Sequence, residues 1–299
     1  MAFQASWGNL PQGNFVPEIF SKNVLKFFRR AAVVDAITNN DYYGEISNYG
    51  DTVRIIKEPT IAIGDYSRGQ QTTIQEIQDD ETTLTIDKAK YFAFGVDDIE
   101  SKQSHVNWET LATSSGAYSL KNDYDKVILN NISGNVLTDN VYGTDGTPID
   151  MGFDTGEVSP LSVMSRLSRL LDEQDVPEEN RWFVASPAFW EVMADENSKL
   201  MGVDFTGDSN SKLRNGRVTE GLIRGFECYK TNNAPVGSTS AKLVALAGHK
   251  SAVATASQIA KTEAIRSENF FGDIVRGLHM YGDKTLRSEA LAKCFYSID

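Results

Sequence analysis

A run of alternating, strand-like segments between residues 50 and 96 demands more cover than the run itself can supply. Thr52-Val53-Arg54-Ile55-Ile56-Lys57 reads as a strand, and Tyr91-Phe92-Ala93-Phe94-Gly95-Val96 as its returning partner in a long hairpin. Two weaker alternating runs, 72–77 and 82–87, lie between them. In the second, Thr82, Leu84 and Ile86 share one face and Thr83, Thr85 and Asp87 the other. A two-stranded ribbon of this length is marginal in water unless something covers it, and its open edges invite pairing. The tip, 64–80, carries few large apolar side chains beyond Tyr66, Ile74 and Ile77. Those three are the expected contacts with a neighbouring subunit, because they have no core of their own to enter. The pattern is that of a building block.

The remaining properties bound what the block can be. With 299 residues the chain can bury one large core or two ordinary ones. Lys and Arg total 29 against 41 Asp and Glu, a net charge of −12, which disfavours a primary role in gripping phosphates. Cys228 and Cys294 are far apart in apolar, strand-like settings and read as buried thiols in a reducing compartment. Residues 1–13 lack the apolar stretch of a signal peptide, and no run approaches the ~18 apolar residues of a membrane span. No membrane association is expected.

Along the chain, Ile19, Phe20, Val24, Phe27 and Phe28 fall near helical spacing, with basic residues between and after them. Asp97 or Asp98 can cap a short turn over 98–103. Asn107 can cap a long helix to about Ile132, closed by Gly134. Ala117, Leu120, Tyr124, Val127, Ile128 and Ile132 line one of its faces, and it would span roughly 38 Å. Gly116 weakens its early turns. Residues 133–158 read as hairpins or loops. Ser159-Pro160 then starts a helix with Leu161, Met164, Leu167, Leu170 and Leu171 on its apolar face. Arg181-Trp182-Phe183-Val184-Ala185 is a buried strand, and Ser186-Pro187 caps a helix to Met193. A polar loop follows over 200–215, then a short helix over 218–223, and strands over 226–229 and 243–247. The chain ends in strands over 274–280 and 290–298, with Tyr281-Gly282-Asp283-Lys284 as the turn between them. The alternation in the middle of the chain points to a mixed sheet-and-helix domain.

Chemistry-bearing motifs are missing. His105, His249 and His279 are isolated, without a paired zinc-ligand spacing, and there is no nucleophile elbow, phosphate loop or dinucleotide fingerprint. The loop 139–150 lacks the ligand spacing of a calcium hand, so its Asp and Gly residues read as turn chemistry. Asp97, Asp98 and Glu100 fit capping better than acid–base work. No catalytic residue, metal or cofactor is expected.

The order of elements resembles the major capsid (coat) proteins of tailed bacteriophages, which share the Hong Kong 97-type fold. Val16-Pro17-Glu18-Ile19-Phe20 is similar to the opening segment of coat proteins from short-tailed phages. Gly50-Asp51-Thr52-Val53-Arg54-Ile55 is similar to the entry to their extended loop. Val96-Asp97-Asp98-Ile99-Glu100 resembles the loop's exit, and Asp123-Tyr124-Asp125-Lys126-Val127-Ile128 the end of the spine helix. Arg181-Trp182-Phe183-Val184-Ala185-Ser186-Pro187 resembles the apical strand and turn, and 226–235 and 243–248 the strands that follow.

That resemblance implies an α+β fold in four parts: an N-terminal arm and entry helix (1–50), an extended hairpin loop (51–97), a peripheral domain with the spine helix (98–135 and 250–299) and an apical domain (136–249). It implies a structural role, with copies forming hexamers and pentamers of an icosahedral shell around double-stranded DNA, enclosed without sequence-specific binding. The implied partners are further copies of the chain, a portal protein and a separate scaffolding protein, the last because the arm before the loop is short. The implied location is the virion, assembled in the bacterial host's cytoplasm. Some relatives form Lys–Asn cross-links between subunits; no such pair is assigned here. The rivals are a shell subunit of an encapsulin-type compartment, a cytoplasmic α/β enzyme, and a tail or decoration protein, the last disfavoured by the long helices.

Overall fold

The computed structural model describes residues 32–41, 52–56, 61–65, 68, 69, 71, 74, 75, 81–97, 108–194, 222–239, 241–267 and 271–298. The expected entry helix, the turn over 98–103, the Asn107 cap, the polar loop and the side chains of Tyr66 and Ile77 lie outside them.

Two larger sheets, a separate two-stranded ribbon and one long helix organise these residues. The helix, α2 (Trp108–Gly134), follows the short α1 (Val34–Ile37) and runs unbroken for 27 residues, roughly 40 Å. Tyr124, Ile128, Leu129 and Ile132 are buried along it. Gly116 does not interrupt it, because the missing side chain leaves room for a ring: a Cβ there would stand 2.8 Å from Phe92.

Phe92 belongs to β3 (Lys88–Asp97), the edge of a three-stranded antiparallel sheet ordered β10 (Val253–Arg266), β11 (Gly272–Thr285), β3. Strand alternation puts Gly277, His279, Tyr281 and Asp283 of β11 on the face that meets α2. Phe92 lies over Gly277 there, Tyr281 meets Tyr124 edge-on at 4.9 Å, and Asp283 accepts from Asn131 Nδ2 at 3.1 Å. The opposite face carries Met280, Gly282 and Lys284.

Three sequence expectations change here. The strand β1 (Thr52–Ile56) pairs with β2 (Glu81–Thr85), from Thr52 opposite Thr85 to Ile56 opposite Glu81, and not with 91–96. The latter segment is instead bonded to β11, a far longer ladder. Residues 281–284 are not a turn: β11 runs straight through them, because Gly282 serves a close backbone approach and Asp283 finds partners on the helix side. The strand β10 was not anticipated.

The second sheet has the order β4 (Val141–Tyr142), β12 (Leu291–Ser297), β9 (Leu243–His249), β6 (Arg181–Ala185), β8 (Phe226–Lys230), β7 (Leu222–Ile223), with β5 (Ile149–Asp150) also on β12. All five residues of β6 are buried, the apolar run from Trp182 to Ala185 and Arg181 before it. The C-terminal strand β12 hydrogen-bonds within this sheet, antiparallel to β9. Residues 222 and 223, expected as helix, form a strand that returns to β8 through Arg224 and Gly225, both at positive φ (54° and 81°). That pair of left-handed residues makes the tight primed turn of a hairpin.

Helices α3 (Pro160–Asp172) and α4 (Pro187–Met193) cover the sheet. On α3 the buried set is Val163, Met164, Leu167, Leu170 and Leu171, while Leu161 is half-buried. Ser159 and Ser186 stand at the expected N-cap positions, but neither side chain caps its helix. The Ser186 hydroxyl bonds the Tyr296 hydroxyl at 2.7 Å instead, tying α4 to β12. Arg181 is 3% exposed: its Nε donates to Pro177 O at 2.8 Å and its guanidinium meets Asp172 at 2.7 Å, which joins the end of α3 to the start of β6.

One buried carboxylate links the two sheet regions through α2. Asp125 Oδ1 accepts from the Val33 and Val34 amides at 2.8 and 3.0 Å, and Oδ2 from Asn233 Nδ2 at 3.0 Å. It is fully buried, and its partners come from the segment entering α1 and from the loop after β8.

Candidate intersubunit surface

Among its described residues, the arm that contains β1 and β2 is rooted but not enclosed. Its root is a small core of Leu84 and Ile86 against Ala254 and Ala256 of β10, flanked by Val53, Ile55, Met280 and Leu286. The expected alternation holds: Leu84 and Ile86 are buried, whereas Thr83, Thr85 and Asp87 are exposed. Small residues on the sheet make this seat. The β10–β11 register places Ala256 opposite Gly282 and Ala254 opposite Lys284. At Gly282 the arm's backbone comes so close that an added Cβ would lie 2.1 Å from the Thr85 carbonyl oxygen.

Beyond the root, the described residues of the arm have little to pack on. Ile61, Ile63 and Ile74 are 68%, 99% and 88% exposed. The Ala62 amide donates to Gln75 Oε1 at 2.9 Å, so the two limbs of the tip are joined by at least one cross-limb bond. Ile74 is thus one of the three anticipated contact residues and stands in solvent in the single chain. Ile61 and Ile63 were not anticipated, although Ile61-Ala62-Ile63 is a short strand-like signal.

The outer face of the three-stranded sheet adds a second apolar surface. Tyr91 pairs with Leu278 in register, and they are 78% and 37% exposed; Ile265, further along, is 41% exposed. Phe271, next to the start of β11, is 82% exposed. Single exposed apolar residues are ordinary on a monomer. Here they gather on two projecting elements, which is the pattern of surfaces that meet other proteins.

Between α2 and the sheet runs a groove of about 330 Å³, lined by Phe92, Leu120, Tyr124 and His279 among others. His279 Nε2 shares a hydrogen bond of 2.9 Å with the Ser257 hydroxyl, and burial holds its pKa below the usual value for histidine. Burial also pushes the Tyr281 hydroxyl up to about 12. Both thiols are free and buried, and burial pushes each up to about 12, so neither is set up as a nucleophile. Among the described residues no group of three or more His, Cys, Asp or Glu could hold a metal ion. No described helix is long and apolar enough to cross a membrane.

No family model and no curated protein matches the sequence. Solved structures do match, over nearly the whole chain. A chain from Mycobacterium phage Che8 superimposes with a TM-score of 0.77 at 29% identity, covering 94% of this chain and 97% of that one. The capsid structure of cyanophage P-SCSP1u gives 0.71 at 18% identity, covering 95% and 93%. The mature capsid of bacteriophage PhiM1 gives 0.68 at 17% identity, covering 94% and 91%. The α+β fold of this chain is therefore the fold of phage capsid subunits, and the likeness covers 94–95% of the chain.

Proposed function

We propose that this chain is the major capsid protein of a tailed phage, a structural subunit without enzymatic activity that builds the icosahedral shell around a double-stranded DNA genome. The observation that carries the reading is a whole-length likeness to capsid subunits in a chain whose arm presents Ile61, Ile63 and Ile74 to solvent. Those side chains gain burial only against another copy, and repetition in a closed symmetric assembly multiplies each modest contact. The division into arm, extended loop, peripheral and apical domains belongs to this reading, with one adjustment: β12, expected in the peripheral domain, pairs with β9 and so joins the sheet of the apical segment. So do the hexamers and pentamers, the portal and scaffolding partners, the assembly in the host cytoplasm, and the contacts of Tyr66, Ile74 and Ile77 with a neighbour. An acidic net charge of −12 suits a container that holds DNA without gripping it.

Expression with and without the neighbouring genes of the same genome, followed by electron microscopy, tests the proposal. The expected result is uniform closed shells with a scaffolding partner, and soluble oligomers, tubes or aggregates without one. Uniform shells from the chain alone would remove the scaffold requirement and leave the capsid role standing. A stable monomer under both conditions would overturn the capsid role.

A further inference from the structure

The root of the arm is held from both faces of the three-stranded sheet, and we infer that Lys88, Asn131, Asp283 and Gly282 are the positioning residues that fix the angle at which the arm leaves the body. This inference rests on the capsid reading only where it extends to shells; its structural part concerns the single chain. Lys88 is the first residue of β3, three residues beyond the end of β2, so it marks the point where the arm re-enters the body. It is also the last residue of β3 paired to β11, opposite Tyr281.

From there its ammonium reaches the Asp283 carboxylate, two residues further along the same face of β11. Asp283 is 6% exposed in its side chain and accepts from Asn131 Nδ2 at 3.1 and 3.2 Å. The chain of contacts therefore runs from arm root to β11 to the last turn of the long helix. On the opposite face, Gly282 lets the Thr85 carbonyl and the Ile86 Cα settle against the backbone of β11. A charge-assisted clasp on one side and a backbone-to-backbone seat on the other leave the root little freedom to swing. Any rotation of the arm about this point is multiplied along its length, and in a shell a changed arm angle is a changed angle between neighbours.

None of these side chains is exposed at the arm tip, so they do not act by touching a neighbour there. Their effect is separable from adhesion. Hydrogen exchange on unassembled full-length subunits reads the first part. In Asn131→Ala and Lys88→Met, amides over 81–90 should exchange at least tenfold faster, with protection in β6 and β9 unchanged. Gly282→Ala, which acts from the other face, should give the same local signature, and Lys88→Arg should restore most of the protection to that site. Unchanged exchange over 81–90 in all three variants would overturn the inference. Loss of protection throughout the chain would overturn it too, since these residues would then be general stabilisers.

The second part is read from particle images. Variants that pass the first test should assemble into shells of broadened diameter or into open sheets, while the parent chain gives one diameter. Unchanged diameters would refute the link between clasp and curvature. Failure of the parent chain to form any shell would instead defeat the capsid reading and leave the exchange result intact.

Discussion

A chain in which residues 64–80 are replaced by a short Gly-Ser turn should fold normally and fail to assemble. Among the described residues, the arm's enclosed apolar contacts are at its root, where Leu84 and Ile86 meet Ala254 and Ala256, and the replacement leaves them untouched. What it removes is Tyr66, Ile74 and Ile77, of which Ile74 is 88% exposed in the single chain. Each fully buried large apolar side chain is worth up to about 1.5–3 kcal/mol. Ordering the arm and losing subunit freedom offset part of that. Losing even one such contact per subunit weakens each association step by about a factor of 10 or more. A closed shell multiplies the loss over every subunit. Thermal melting of the truncated subunit should match the parent, and sedimentation should show no large particle. An unfolded truncated chain would place the tip in the core, and normal shells would make the arm dispensable.

Asp125→Ala should be the most damaging single substitution in the body, costing about 3 kcal/mol of subunit stability. It would strip the partner from the Val33 and Val34 amides, and one of two acceptors from Asn233 Nδ2, at a position with no access to water. Buried amides without partners carry their full desolvation cost, which is why the loss exceeds that of an ordinary hydrogen bond. Asp125→Asn keeps acceptor capacity on one oxygen and should cost roughly half as much. Denaturant unfolding of the unassembled subunits measures both. A midpoint for Asp125→Ala within about 1 kcal/mol of the parent would show that the link between α1, α2 and the loop after β8 carries no weight.

What could be read from the sequence was whatever a short window contains. The α2 stripe through Tyr124, Ile128 and Ile132, the apolar run of β6, and the proline starts of α3 and α4 are local patterns, and each stands where it was expected. The capsid-type order of elements was legible for the same reason. Partner choice was not. Nothing near Thr52 states that it pairs with Thr85 and not with the stronger apolar run at 91–96, because pairing depends on what else competes for that run. The strand β10 was missed because its Ala, Ser and Thr residues blur the alternation: Ala254 and Ala256 are small to receive the arm root, and Thr255 faces Thr38 at 2.9 Å.

Gly282 and Asp283 show the same limit from the other side. Together they compose a plausible turn, and only the third dimension reveals one as a seat for the Thr85 carbonyl and the other as the partner of Lys88 and Asn131. Asp125 stood within a recognised stretch of the spine helix, yet its role required knowing that residues 33 and 233 arrive beside it. Of the surface, Ile74 was anticipated from its lack of neighbours in sequence. Tyr91 and Leu278 were not, since each sits in a strand whose other face is buried.

Mass spectrometry of particles purified from the phage that carries this gene tests the central claim most directly. The capsid reading predicts that this chain is the most abundant protein in the DNA-filled particle, in large excess over every tail component and the portal. Finding it in trace amounts, or confined to the soluble fraction of infected cells, would contradict that reading.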